Sequence, residues 1–345
     1  VKNESTLKEM NMCQNGLFLM CILTAGWIVT SYSGSGVVNA AVVRLEDLVA
    51  ACRNMELQIK DIAIEYEWAC GELRKGSEEE RILTKEFAQG RIIKVVGPSR
   101  VALTLSRSRP AKDPNDPNYL VFDLFRYETR ETLASHDQRT WESHHMKAWD
   151  GQVSYDYSSS STWPFPEGTI SKRGKPNSPV LSASPLSFSV YWGPLSGIFE
   201  QMALSVVLKE LGTLDPNVYD INGFKAVKVD LWNVYHSRII ARAYFDIEHN
   251  YAPVRFEYIS SKGQDGPHRV VTAVDILSLE EVLPGLWFPT SGLVSSPTGS
   301  APWNKYICKG KILINQGLTQ KDFVVKFPPG TRVRDEVKGT RYIAK

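Results

Sequence analysis

The feature that most constrains this chain is a period of two that returns along most of its length. In "KDIAIEYEW", Ile62, Ile64, Tyr66 and Trp68 share one side, and Asp61, Glu65 and Glu67 share the other. In "KAVKVDLWNVY", Val227, Val229, Leu231 and Tyr235 oppose Lys228 and Asp230; in "VRFEY", Val254, Phe256 and Tyr258 oppose Arg255 and Glu257. "RVVTAVDIL" and "KYICKGKILI" continue the theme, while "YLVFDLFRY" is apolar on both sides. Successive side chains of a strand point to opposite faces, so clean alternation means one dry face and one wet face, the mark of antiparallel sheet. The links are short and turn-rich, which suits hairpins and not the helical crossovers of a parallel sheet. Roughly ten such strands invite a strongly curved sheet or barrel.

Two stretches break the period. Leu45, Leu48, Val49, Cys52 and Met55 recur at spacings of three and four, the pattern of a helix with one apolar stripe. A second helix is expected over Ile198–Leu211. Its polar stripe, Gln201, Ser205 and Lys209, is narrow; Phe199, Met202, Leu204, Val206, Val207, Leu208 and Leu211 make the rest apolar. A helix so apolar has to be covered on more than one side, and a sheet curling around it is the simplest cover. Before it, residues 158–197 are rich in Ser, Pro and Gly and read as one long loop, a candidate lid together with the helix.

The first forty residues differ from the rest. Leu17 to Val29 is apolar but shorter than a membrane-spanning helix needs. Val38 and Ala40 stand where a signal peptidase would read them, so 1–40 is expected to be a cleaved export signal, cut after Ala40, with 41–345 a single periplasmic or secreted domain. The alternative is an uncleaved anchor in the inner membrane. Cys52, Cys70 and Cys308 would remain; Cys52 and Cys70 could pair, or all three could be small buried apolar residues. A net charge of +2 gives no general attraction for nucleic acid.

Motifs for chemistry fail one by one. His136, His144 and His145 lie near Asp137 and Glu142, but adjacent histidines on a strand diverge, and they read as solvated edge residues with no metal. Asp113 and Asp116, in "DPNDPN", mark turns. "GTISKRGKP" has the wrong glycine spacing for a phosphate loop, and Pro176 stands where Ser or Thr would hold magnesium. No G-x-S-x-G, H-E-x-x-H or C-x-x-C occurs. No catalytic residue and no cofactor are therefore assigned. The tryptophans, Trp68, Trp149, Trp192, Trp232 and Trp287 among them, read as fillers of a large curved sheet, although Trp232 lies on the polar side of its strand.

"RAYFDIEHNYAPVRFEY", 242–258, joins two alternating runs through a polar turn. Asp246 can accept turn N–H groups, Asn250 tolerates a left-handed backbone, and Pro253 opens the second strand, so Asp246, Glu248 and His249 read as corner chemistry, not catalysis. This stretch resembles a strand–turn–strand of the LolA-like periplasmic lipoprotein-carrier superfamily, which includes LolB-like, LppX-like and RseB-like proteins. "LPGLWFPTSGLV" resembles the strand pair that follows it there. "DFVVKFPPGTRVRDEVKGTRY" is similar to the tail of exported proteins of planctomycete-type bacteria.

The resemblance implies an α+β fold: an incomplete antiparallel barrel whose concave apolar face is closed by an N-terminal helix and a central helix with its loop. It also implies a non-catalytic carrier that holds a lipid or lipoprotein acyl chain and meets an inner-membrane or outer-membrane partner protein. The expected walls are Ile62, Ile64, Tyr66, Trp68, Val227, Val229, Leu231, Val254, Phe256 and Tyr258, with Phe199, Met202 and Val206 from the helix. Two alternatives stay open: an RseB-like envelope sensor or interaction module without a lipid cavity, and a glycan-binding protein or an enzyme with a dispersed site.

Overall fold

A computed structural model describes residues 38–39, 43–70, 94–95, 99–106, 124–134, 139–172, 203–233, 238–260, 269–295 and 304–345. Residues 1–37 and 40 of the expected signal segment, His136, Asp113, Asp116, Trp192, Phe199 and Met202 lie outside them.

The chain enters through a two-residue strand, β1 (Val38–Asn39), and helix α1 (Leu45–Gln58). Strands β2 (Asp61–Cys70), β3 (Lys94–Val95), β4 (Ser99–Ser106), β5 (Leu124–Ala134), β6 (Thr140–Trp149), β7 (Ser154–Ser160) and β8 (Glu167–Ser171) follow. Helix α2 (Leu204–Leu211) leads directly into β9 (Gly212–Ile221), β10 (Phe224–Asn233), β11 (Arg238–Asp246), β12 (Ala252–Ser260), β13 (Arg269–Leu283) and β14 (Leu286–Ser295). The chain ends through β15 (Asn304–Cys308), β16 (Leu313–Ile314), a short 3-10 turn (Gln320–Phe323), β17 (Arg332–Asp335) and β18 (Thr340–Ile343).

All strands join one sheet. From edge to edge the order is β18, β17, β8, β7, β6, β5, β4, β2, β15, β14, β13, β12, β11, β10, β9, β1. β3 continues the place of β4 on β5, and β16 continues that of β15 on β2. Among the described residues no pairing joins β18 to β1, so the fold is α+β with a strongly curved, incomplete barrel. Register slips in β9 to β14, such as the one between Tyr244 and Phe245, tighten the curl of that half, because a bulge adds local twist.

Four expectations need correction. The sheet has more strands than roughly ten, because short pairs such as β16 and β17–β18 carry little periodic signal. The pairing is not wholly antiparallel: β17 runs parallel to β8, with Val333 beside Gly168. The Ser-rich start of the expected loop is a hairpin, β7 and β8, and helix α2 is described only from Leu204. His144 and His145 are half-buried in β6, between β5 and β7, not at a solvated edge.

The last thirty residues form an outer brace. Asp61 accepts the backbone N–H groups of Gln316, Gly317 and Leu318 at 2.7, 3.0 and 3.2 Å. Asn315 accepts from Lys60 N–H and donates to the Gln58 carbonyl, both at 2.8 Å. From there the arm lays Val325 and Phe327 on Met146, Ala148, Tyr155 and Tyr157, a small second core on the convex side. Gly168 leaves room for this: a Cβ there would meet the Phe327 ring at 2.7 Å.

Candidate functional site

The main core fills the concave side. Of the expected wall residues, Ile62, Ile64, Tyr66, Val227, Val229, Leu231, Val254 and Phe256 are all buried and belong to one continuous cluster, with Tyr258 packed against it half-buried. Val206, on α2, joins them half-buried; of Trp68 only the backbone, in β2, is described. Helix α1 contributes Leu48, Cys52 and Met55, and α2 contributes Leu204, Val207 and Leu208. The wall therefore faces the two helices and is covered by them. Cys52 is a free thiol there, so the Cys52–Cys70 pair is not formed; burial, with the charge of Glu56 nearby, pushes it well above the usual thiol range.

The two helices are tied together by one carboxylate. Glu56, on α1, is fully buried. Its Oε1 accepts the Ser205 backbone N–H at 2.8 Å, and its Oε2 accepts the Ser205 hydroxyl at 2.5 Å. Ser205 is the second residue of α2, so the Glu56 charge sits on the N–H groups that a helix start leaves without internal partners, at the positive end of the dipole. Ala203 provides no side-chain cap, and Glu56 takes that role from another element. The signal in the sequence was a glutamate four residues after Cys52, on the apolar stripe.

Cross-strand register carries the same concave face past β4 and changes its chemistry. Ile64 lies beside Leu103, Leu103 beside Tyr127, Tyr127 beside Lys147, and Lys147 beside Asp156. In the neighbouring row Thr129 lies beside His145, and His145 beside Ser158; next to it Glu131 lies beside Ser143. The first row begins apolar and ends polar; the other two are polar from β5 onward. The Ser143 hydroxyl and His145 Nε2 are 2.7 Å apart. Burial first, then Lys147 and His144, pull the His145 imidazolium down, which keeps the ring neutral at pH 7. Asp156 is exposed to solvent, yet the protein around it pushes its carboxyl up, against Lys147. Tyr127 stands at the border; burial raises its phenol, with Tyr66 next to it.

The convex face is structural. Asp230, Arg242, Glu257, Arg255 and Asp275 form a chain of ion pairs across β10 to β13, with N–O distances of 3.0, 3.8, 2.9 and 3.1 Å. His144 lies 2.9 Å from Glu128, on the opposite side of β6 from His145. At the 246–250 corner, Asp246 is buried and accepts from Glu248 N–H and the His249 ring, Asn250 has φ 52°, and its amide donates to the Gly285 carbonyl at 2.8 Å. His249 packs edge-on against Trp287 at 4.3 Å. Among the described residues no group of three His, Cys, Asp or Glu side chains is placed to hold a metal. No helix among them is long and apolar enough to cross a membrane.

No family model and no curated protein matches the sequence. Among solved structures, the chain is similar to a domain from Vibrio parahaemolyticus described as an outer membrane lipoprotein-sorting protein domain. The two share 10% identity over 81% of this chain and 97% of that one, with a TM-score of 0.39. Identity at that level does not carry function from one chain to the other.

Proposed function

We propose that this protein is exported and holds the hydrocarbon tail of a lipid or an acylated lipoprotein against the concave face of its sheet, beneath α1 and α2. One observation carries the reading: a continuous apolar wall, from Ile62 and Tyr66 through Val229 to Phe256, packs among the described residues against two helices that are fastened to each other through a buried carboxylate. Taking up a tail exchanges helix–sheet contacts for tail–sheet contacts. Burial of each methylene contributes about 0.8 kcal/mol, so a fatty-acid-length chain needs no polar anchor to compensate for lost helix packing. The helices must then move as a pair, because a helix released alone would take the Ser205 N–H and hydroxyl off the Glu56 carboxylate in an apolar site.

An anthroyloxy-labelled stearate tests this reading: its emission should rise saturably on mixing and fall when unlabelled stearate is added. Emission that grows without saturation, or is insensitive to competitor, contradicts it. N-terminal sequencing of the exported chain should begin at Ala41; an intact N-terminus in membranes would replace cleavage by anchoring.

A further inference from the structure

We propose that the outer edge of β18 is a docking site for an acidic, extended segment of another polypeptide, which adds to the sheet as a strand and sets carboxylates over Arg334 and Arg341. The inference goes beyond tail binding and does not depend on it. Its first support is the backbone. Ala344 donates its N–H to the Thr331 carbonyl at 2.9 Å and accepts from Gly330 N–H at 3.0 Å, so both of its polar groups turn inward. Orientation alternates along an antiparallel strand. Tyr342 therefore turns toward Val333 of β17, and the N–H and C=O groups of Arg341 and Ile343 point away from the sheet. Among the described residues no further strand pairs with them. An edge left to water is normally kept free of large apolar side chains, yet Tyr342 and Ile343 are 44% and 62% exposed.

The second support is charge. Register puts Arg341 directly beside Arg334, and Ile343 beside Arg332. Like charges facing each other across a strand pair cost stability, and a carboxylate set between them relieves it. Arg332 lies over the Phe165 ring at 3.7 Å with Glu167 beside it on β8, and Glu336 meets Arg334 at 3.2 Å. Positive charge still prevails, because residues 326–345 hold six Lys or Arg against Asp335 and Glu336. Guarding the edge would account for Arg341, but not for Arg332 and Arg334, which lie one strand further in. Together the two observations select the occupant. A second copy of β18 laid alongside would bring a like-charged edge against Arg341. A lipid surface would answer the arginines but not the outward backbone groups. A strand with acidic residues at alternate positions answers both.

The test titrates the full chain into a fluorescein-labelled peptide of alternating Glu and Val, and into its counterpart of alternating Lys and Val, and reads anisotropy. The Glu peptide should bind saturably and at least about tenfold more tightly than the Lys peptide. Arg334→Glu combined with Arg341→Glu should reverse the preference, a gain of Lys-peptide binding that loss of folding would not produce. The Glu peptide N-methylated at every amide keeps its charges and loses its donors, and should not bind. Equal binding of the two peptides, a preference that survives the charge reversal, or full binding by the N-methylated peptide overturns strand addition at this edge. Binding of neither peptide overturns it too; cosedimentation with phosphatidylglycerol vesicles, lost in the double variant, would then assign the arginines to a membrane surface.

Discussion

Removing the Glu56 carboxylate should weaken the whole cover of the concave face. Glu56→Ala takes away two hydrogen bonds from a charged acceptor, to Ser205 N–H at 2.8 Å and Ser205 Oγ at 2.5 Å, in a fully buried place. The hydroxyl can turn to another acceptor, but the N–H at the second position of α2 cannot. An unsatisfied buried donor costs about 1–3 kcal/mol, and losing an anion at a partly buried helix N-terminus about 1–2 more. Relief of the glutamate's own desolvation offsets part of this, giving a net loss of about 2–4 kcal/mol. In urea that is a midpoint shift of roughly 1 M or more. Ser205→Ala keeps the N–H bond and should cost only about 1 kcal/mol, and the double variant should show coupling of about 1–2 kcal/mol. Glu56→Gln keeps an acceptor without the charge, so it should fold and should exchange a bound stearate probe faster than the parent. A Glu56→Ala protein within about 0.5 kcal/mol of the parent would refute the assignment of Glu56 as the tie between the helices.

Other consequences follow from particular contacts. Asp61→Ala removes the acceptor of three N–H groups and should cost about 3 kcal/mol, with the amides of Gln316, Gly317 and Leu318 exchanging fast; unchanged exchange would contradict the brace. Gly168→Ala drives a Cβ into the Phe327 ring, 2.7 Å away, for about 1–3 kcal/mol, and Phe327→Leu should recover part of it; if the two losses simply add, the clash is not the cause. The His144 ring, against burial and with Arg130, holds the Glu128 carboxyl down at about 2. A carboxyl lowered on folding stabilises the fold above its unfolded value of about 4.3 and loses that contribution as pH falls toward 2. Glu128→Gln should therefore flatten the pH dependence of the urea midpoint between these values; parallel curves for the two proteins would show that Glu128 contributes nothing there.

The sheet was legible wherever one face is wet. Lys228 and Asp230 between Val227, Val229 and Leu231 leave no other reading, and those apolar residues do line the core. β12 is less simple: Glu257 is buried as well, because the ion-pair chain covers its outer side. The end of β7, Ser158–Ser160, reads as loop since serine has little preference for strands; what holds the strand is Tyr157 beneath Phe327 on one side and the row of β6 on the other. The parallel contact of β17 with β8 spans more than 160 residues, and nothing local announces it. The apolar character of α2 correctly required cover on several sides, and α1, β9 and β10 provide it. The polar half of the concave face was hidden because its residues are scattered over three strands and meet only through register.

Native mass spectrometry of the chain, expressed with its own N-terminal segment in a Gram-negative host and purified without detergent, tests the central claim most directly. Tail binding on the concave face should appear as a chain carrying one or two lipid masses, lost on solvent extraction and recovered in the extract as an amphiphile with an acyl tail. A spectrum of the bare chain alone, from a protein that remains folded and also fails to take up lipid added afterwards, would contradict it.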